Sequence, residues 1–104
     1  MIDPSEAVYE FVRTVPFGKV VTYGQVAGLI EGVSLTPRQV GGKMASAPPD
    51  VPWQRVVGAG GHLPIGKKAT SLMIKQRQIL VGEGVTFLPN DRIDMARHQW
   101  MESE

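Results

Sequence analysis

Six consecutive residues, Pro52-Trp53-Gln54-Arg55-Val56-Val57, set an indole, an amide and a guanidinium beside one another, between a proline-rich stretch and a β-branched pair. A flat indole can cover a planar base or anchor a core. Both readings stand on the sequence alone, since most tryptophans are largely buried. A second cluster is Arg38-Gln39-Val40-Gly41-Gly42-Lys43. Arg38 falls in the first turn of an expected helix and Lys43 about a turn later, while the helix start offers amide donors and a positive dipole to phosphate. Gly41 and Gly42 cost roughly 1 kcal/mol each in helix propensity. They also permit close approach of another backbone, whether a nucleic-acid strand or a packed element.

Other chemistries lack their residues. The chain has no cysteine, which excludes disulfides, thiolate zinc sites, iron–sulfur clusters and a cysteine nucleophile. His62 and His98 have neither metal-ligand spacing nor a carboxylate motif, and His62 in its glycine-rich loop reads as solvent-exposed. There is no G-x-S-x-G and no P-loop. No metal or cofactor is expected.

The net charge of +1 hides a segregation. Residues 1–31 carry two basic and four acidic side chains, residues 32–82 seven basic and one acidic, and residues 83–104 two basic and five acidic. Both clusters lie in the basic middle, as do Lys67 and Lys68, so one face suits an anion. Chance segregation on a short chain is the plainer reading. No apolar run approaches the roughly 18 residues that span a bilayer, and the acidic start lacks the apolar stretch of a signal peptide. The expectation is a cytosolic protein with no membrane partner.

The elements that must position these residues are short. The length of 104 residues is one domain's worth, so residues 1–104 are expected to form a single domain. Asp3, Pro4 and Glu6 form a cap and capping box for a helix with apolar Val8, Phe11, Val12 and Val15, ended by Pro16-Phe17-Gly18. Val20-Val21 reads as a short β run. Thr22-Tyr23-Gly24-Gln25 is a second box, opening a helix through Val26, Leu29 and Ile30 that Gly32 stops. Thr36-Pro37-Arg38-Gln39 is a third. Two short helices joined by a tight turn match a helix-turn-helix, although two helices and a turn are also just that. Beyond them a short strand ends at Val57, the Gly58–Lys68 loop is placed as a wing, and a helix runs from Thr70 to Val81. That helix carries Leu72, Met73, Gln76, Ile79 and Leu80 as an approximate stripe. A strand over Val85–Leu88, a turn at Pro89-Asn90-Asp91 and a tail with Ile93, Met95 or Ala96, and Trp100 on the core complete the reading. The expected class is mainly α with short β strands, a winged helix-turn-helix-like single domain.

Four segments in order resemble the O6-alkylguanine-DNA alkyltransferases across roughly residues 4 to 88. Pro52-Trp53-Gln54-Arg55-Val56 resembles their Pro-Cys-His-Arg-Val active-site motif. Arg38-Gln39-Val40-Gly41-Gly42-Lys43-Met44 resembles their recognition helix, Gly18 to Ala27 the entry to their helix-turn-helix, and Gly82-Glu83-Gly84-Val85 the segment that supplies their buried glutamate. The fold implied is that of their C-terminal DNA-binding domain. Trp53 stands for the nucleophilic cysteine and Gln54 for the histidine, which is the pattern of the alkyltransferase-like members that bind alkylated DNA and transfer nothing. No counterpart of the family's N-terminal domain is expected within residues 1–104. The asparagine between recognition helix and motif is also missing, and Ala47 lies nearest its place.

The resemblance implies a recognition helix in the minor groove and a guanine rotated into a pocket. Arg38 fills the vacated stack, Tyr23 turns the nucleotide's phosphate, and Gly41, Gly42 and Lys43 meet the DNA. The alkylguanine pocket is assigned to Tyr23, Pro52, Trp53, Gln54, Arg55 and Glu83, with Arg55 and Glu83 either structural or lesion-contacting. No residue is expected to be catalytic. The implied partners are duplex DNA containing O6-alkylguanine and nucleotide excision repair proteins, with the protein itself a monomer. Two other readings are an alkyltransferase with Glu83 or a lysine as nucleophile, and a generic winged-helix DNA- or protein-interaction module in which Trp53 is only core.

Overall fold

Local capping sets the helices of the computed structural model, which describes residues 3–63 and 70–101. Asp3 accepts from the Ser5 amide at 2.7 Å and Pro4 takes the first helical position, starting α1 over Pro4–Arg13. This cap is the aspartate side chain; the reciprocal bond expected from Glu6 is not among the hydrogen bonds of the described residues. Thr22 and Thr36 do form reciprocal boxes with Gln25 and Gln39, opening α2 over Tyr23–Leu29 and α3 over Pro37–Ala45. Each box is made of near-neighbour hydrogen bonds, so both helix starts are specified locally. The two helices pack on one another and on α1.

β1, Val21–Thr22, pairs in parallel with β2, Val56–Val57, in the register Val21↔Val56 and Thr22↔Val57. A parallel pair needs a crossover, and here the crossover is the helix-turn-helix itself. Entry to α2 and exit from the Trp53 turn are thereby tied together. One buried cluster, including Val8, Val12, Val26, Val40, Met44 and Val56, lies under α1–α3. A second, with Val20, Val57, Leu63, Leu80, Val85 and Ile93, lies under α4, Thr70–Gly82.

The tail closes both clusters. Ile93 is buried, and Gly61, at φ +88, leaves it room: a Cβ at Gly61 would stand 2.6 Å from the Ile93 carbonyl oxygen. After the short helix α5, Met95–His98, Trp100 donates its amide to the Val20 carbonyl at 2.8 Å and tilts against Phe11. Met95 packs on the second cluster, whereas Ala96 is exposed.

Two expected elements differ. The described part of the Gly58–Lys68 loop is a 3-10 turn at Ala59–Gly61, held by Gly58 and Ile93, with no wing strand in it; the remainder, with Lys67 and Lys68, lies outside the described residues. Val85–Leu88 forms only an isolated bridge, Phe87↔Ile93, because the chain reverses at once through Asp91 at φ 66. Too few residues remain on either side to extend a ladder.

Candidate nucleic-acid interface

A cleft of about 350 Å³ opens between the helix-turn-helix and the Trp53–α4 region. Tyr23, Arg38, Gly41 and Trp53 all line it. They come from different elements: Tyr23 starts α2, Arg38 and Gly41 share a face of α3, and Trp53 starts a 3-10 turn over Trp53–Arg55. The Tyr23 ring lies beside α3 at Gly41, where even a Cβ would meet it at 3.8 Å, in ordinary contact. Arg38 is exposed at the mouth, and Gly42 is exposed with nothing near it. Trp53 is half-buried, packing one part on the first core cluster and giving another to the cleft. The core reading of Trp53 therefore describes part of its surface, and the rest borders the cleft.

Burial pushes the Tyr23 hydroxyl up to about 12. It stays protonated at neutral pH, so Tyr23 lines the cleft as a neutral side chain.

The residues after Trp53 face elsewhere. A 3-10 turn sends successive side chains about a third of a circle apart. While Trp53 faces the cleft, Gln54 Nε2 donates to Glu83 Oε2 at 2.8 Å and Arg55 Nε to Glu83 Oε1 at 2.9 Å. Arg55 Nη2 reaches Glu83 Oε2 at 3.3 Å, and Nη1 donates to the Val15 carbonyl at 2.9 Å. The Gly18 amide, at φ +80, adds a bond to Glu83 Oε1 at 3.3 Å, and the Arg55 guanidinium lies 5.6 Å from the Phe17 ring centre. The pair's side chains are only 16% and 6% exposed, so this is a shielded, bidentate bridge. Burial raises the Glu83 carboxyl; the hydrogen bonds from Arg55, Gln54 and Gly18, with the Arg55 charge, outweigh it and hold the carboxyl below its ordinary value.

Thus Tyr23 and Trp53, of the six residues assigned to a pocket, line the cleft; Pro52, Gln54, Arg55 and Glu83 do not. Lys43 is also turned aside: its Nζ donates to Ser5 Oγ at 2.9 Å, and its carbonyl accepts from the Tyr9 hydroxyl. His62 is exposed, and His98 Nε2 accepts from the Thr86 amide at 3.0 Å, a structural bond. Among the described residues no His, Cys, Asp and Glu group could hold a metal.

Sequence reasoning missed Met44, Leu72, Met73 and Gln76 as cleft walls. Their helical spacing is a core signal and does mark buried positions in Met44 and Gln76. Leu72, at 40% exposed, breaks the stripe. A helix stripe one residue wider than its core contact was the available clue. The assembled cleft offers flat and apolar walls, a neutral phenol, and a guanidinium at its mouth. That combination can enclose a planar, uncharged ring and hold an anionic backbone beside it.

Comparison with known proteins points the same way. The family model for the 6-O-methylguanine DNA methyltransferase DNA-binding domain matches residues 3–85. The chain is 36% identical over 97 residues to the DNA base-flipping protein of Escherichia coli, covering 91% of this chain and 72% of that one. It is 35% identical over 100 residues to alkyltransferase-like protein 1 of Schizosaccharomyces pombe, covering 89% and 90%. The crystal structure of the S. pombe protein Atl1 in complex with damaged DNA containing O6-carboxymethylguanine superposes with a TM-score of 0.77 at 29% identity, covering 93% of this chain and 94% of that one.

Proposed function

Since the chain belongs to the family of the 6-O-methylguanine DNA methyltransferase DNA-binding domain, we propose that it recognises O6-alkylguanine in duplex DNA and leaves the alkyl group in place. The observation that carries this reading is Trp53 on the cleft wall, at the motif position of the family's cysteine, in a chain without cysteine. A thiolate can displace an alkyl group; an indole at neutral pH has no comparable nucleophile. Gln54 cannot relay a proton as histidine does. Both Glu83 oxygens are occupied by hydrogen bonds, which disfavours Glu83 as a substitute nucleophile.

In this reading α3 enters the minor groove and the target nucleotide leaves the stack. Arg38, exposed in the first turn, takes the vacated space, where a planar guanidinium can stack and donate to the orphaned cytosine. Tyr23 donates to the rotated backbone. Extrusion costs a few kcal/mol, less for a damaged pair, and stacking on Trp53 returns roughly 1–3 kcal/mol. The names of the relatives, a base-flipping protein and a protein seen with damaged DNA, support the same step. A binder that leaves damage in place must pass it on, so a monomer on DNA, inside the cell, hands the site to nucleotide excision repair proteins.

The test is mass spectrometry of protein and DNA after incubation with a duplex carrying one O6-methylguanine. Intact lesion and unmodified protein are expected; unmodified guanine with alkylated protein would overturn the reading.

A further inference from the structure

The cleft contains one buried polar side chain. Gln76 on α4 is 2% exposed, the only buried polar residue among those described, and it lines the cleft. Its Nε2 donates to the Gln54 and Val56 carbonyl oxygens, both at 3.1 Å. Two acceptors on one side dictate the amide orientation, because the flipped amide would set its own oxygen against both carbonyls. Oε1 is therefore turned away from the Gln54–Val56 backbone. It accepts no hydrogen bond from the described residues, yet no enclosed side-chain nitrogen or oxygen among them lacks a partner. Among the described residues, then, Oε1 is neither hydrogen-bonded nor sealed off, and the open space that Gln76 borders is the cleft.

That leaves a fixed acceptor among apolar walls built by Met44, Leu72 and Met73. O6-alkylation removes the N1 proton of guanine, so the only N–H donor left on the base is its exocyclic 2-amino group. We propose that Gln76 Oε1 accepts from this amino group and that Gln76 is a specificity-determining residue of the cleft. The proposal rests on the lesion-binding reading above and names the part of the base that is read. It also accounts for discrimination against undamaged guanine, whose N1–H is a second donor brought among apolar side chains.

The test measures affinities of wild type, Gln76→Met and Gln76→Lys for three duplexes, carrying guanine, O6-methylguanine or O6-methylhypoxanthine, which lacks the 2-amino group. Methionine deletes both halves of the amide. Lysine deletes the oxygen but keeps a donor for the Gln54 and Val56 carbonyls, so a variant remains if the first fails to fold. Loss of the 2-amino group also weakens pairing with cytosine, but equally for every protein, and the cycle cancels it. The ratio of O6-methylguanine to O6-methylhypoxanthine affinity is expected to fall by about tenfold from wild type to either variant. An unchanged ratio, with lesion preference over guanine retained, overturns the role of Gln76 alone. Absence of lesion preference in wild type overturns the underlying reading and the proposal with it.

Discussion

Arg38 and Trp53 reach one cleft from different elements, which makes their contributions separable by mutation. Arg38 is exposed, so Arg38→Ala is expected to leave the melting temperature unchanged while lowering affinity for lesion DNA by roughly tenfold to a hundredfold. Unchanged binding would remove Arg38 from the stack-filling role. Trp53 also touches the first core cluster. Trp53→Ala should therefore lower both lesion affinity, by roughly 1–3 kcal/mol, and thermal stability; a change in stability alone would return Trp53 to the core. Tyr23 gives a spectroscopic check. Its hydroxyl, pushed up to about 12 by burial, favours the neutral fold. The stability this contributes is fully present below the unfolded value of 10.0 and is lost as pH rises through about 12. Ultraviolet titration should show a late-ionising phenol that Tyr23→Phe removes.

At the scale of elements, the Arg55–Glu83 bridge locks the Trp53 turn to the end of α4. Glu83→Ala leaves a shielded guanidinium without its carboxylate and should destabilise the fold by about 3–5 kcal/mol in denaturant unfolding. Because the folded carboxyl lies below its ordinary 4.5, its contribution is present above that value and is lost as pH falls through the folded pKa. Glu83→Gln should accordingly flatten the acid limb of the stability profile. The helices that carry the site were legible because capping is local: Thr22 with Gln25 and Thr36 with Gln39 specify two helix starts from four residues each. The Trp53 motif and the Arg38–Lys43 helix were legible as motifs. Which way each side chain faces was not, since that depends on the parallel β1–β2 pairing and on the 3-10 turn. Gln54 and Arg55 thus turn to Glu83, Lys43 is held by Ser5, and Gln76, buried as its stripe predicts, also borders the cleft.

At the scale of the molecule, the basic middle segment supplies α3 and the Trp53 turn, while the acidic ends supply α1 and the tail. Attraction to phosphates without reading sequence should make affinity for any duplex fall with salt, with a log–log slope of about −0.9 per phosphate neutralised. In the proposed reading selectivity comes instead from the cleft, whose walls would meet the base. The most direct measurement is therefore a titration of two labelled duplexes, identical except for a single O6-methylguanine, at one fixed salt concentration. The lesion duplex is expected to bind more tightly by at least tenfold. Equal affinity for the two would contradict lesion recognition and leave the molecule a general DNA-binding module.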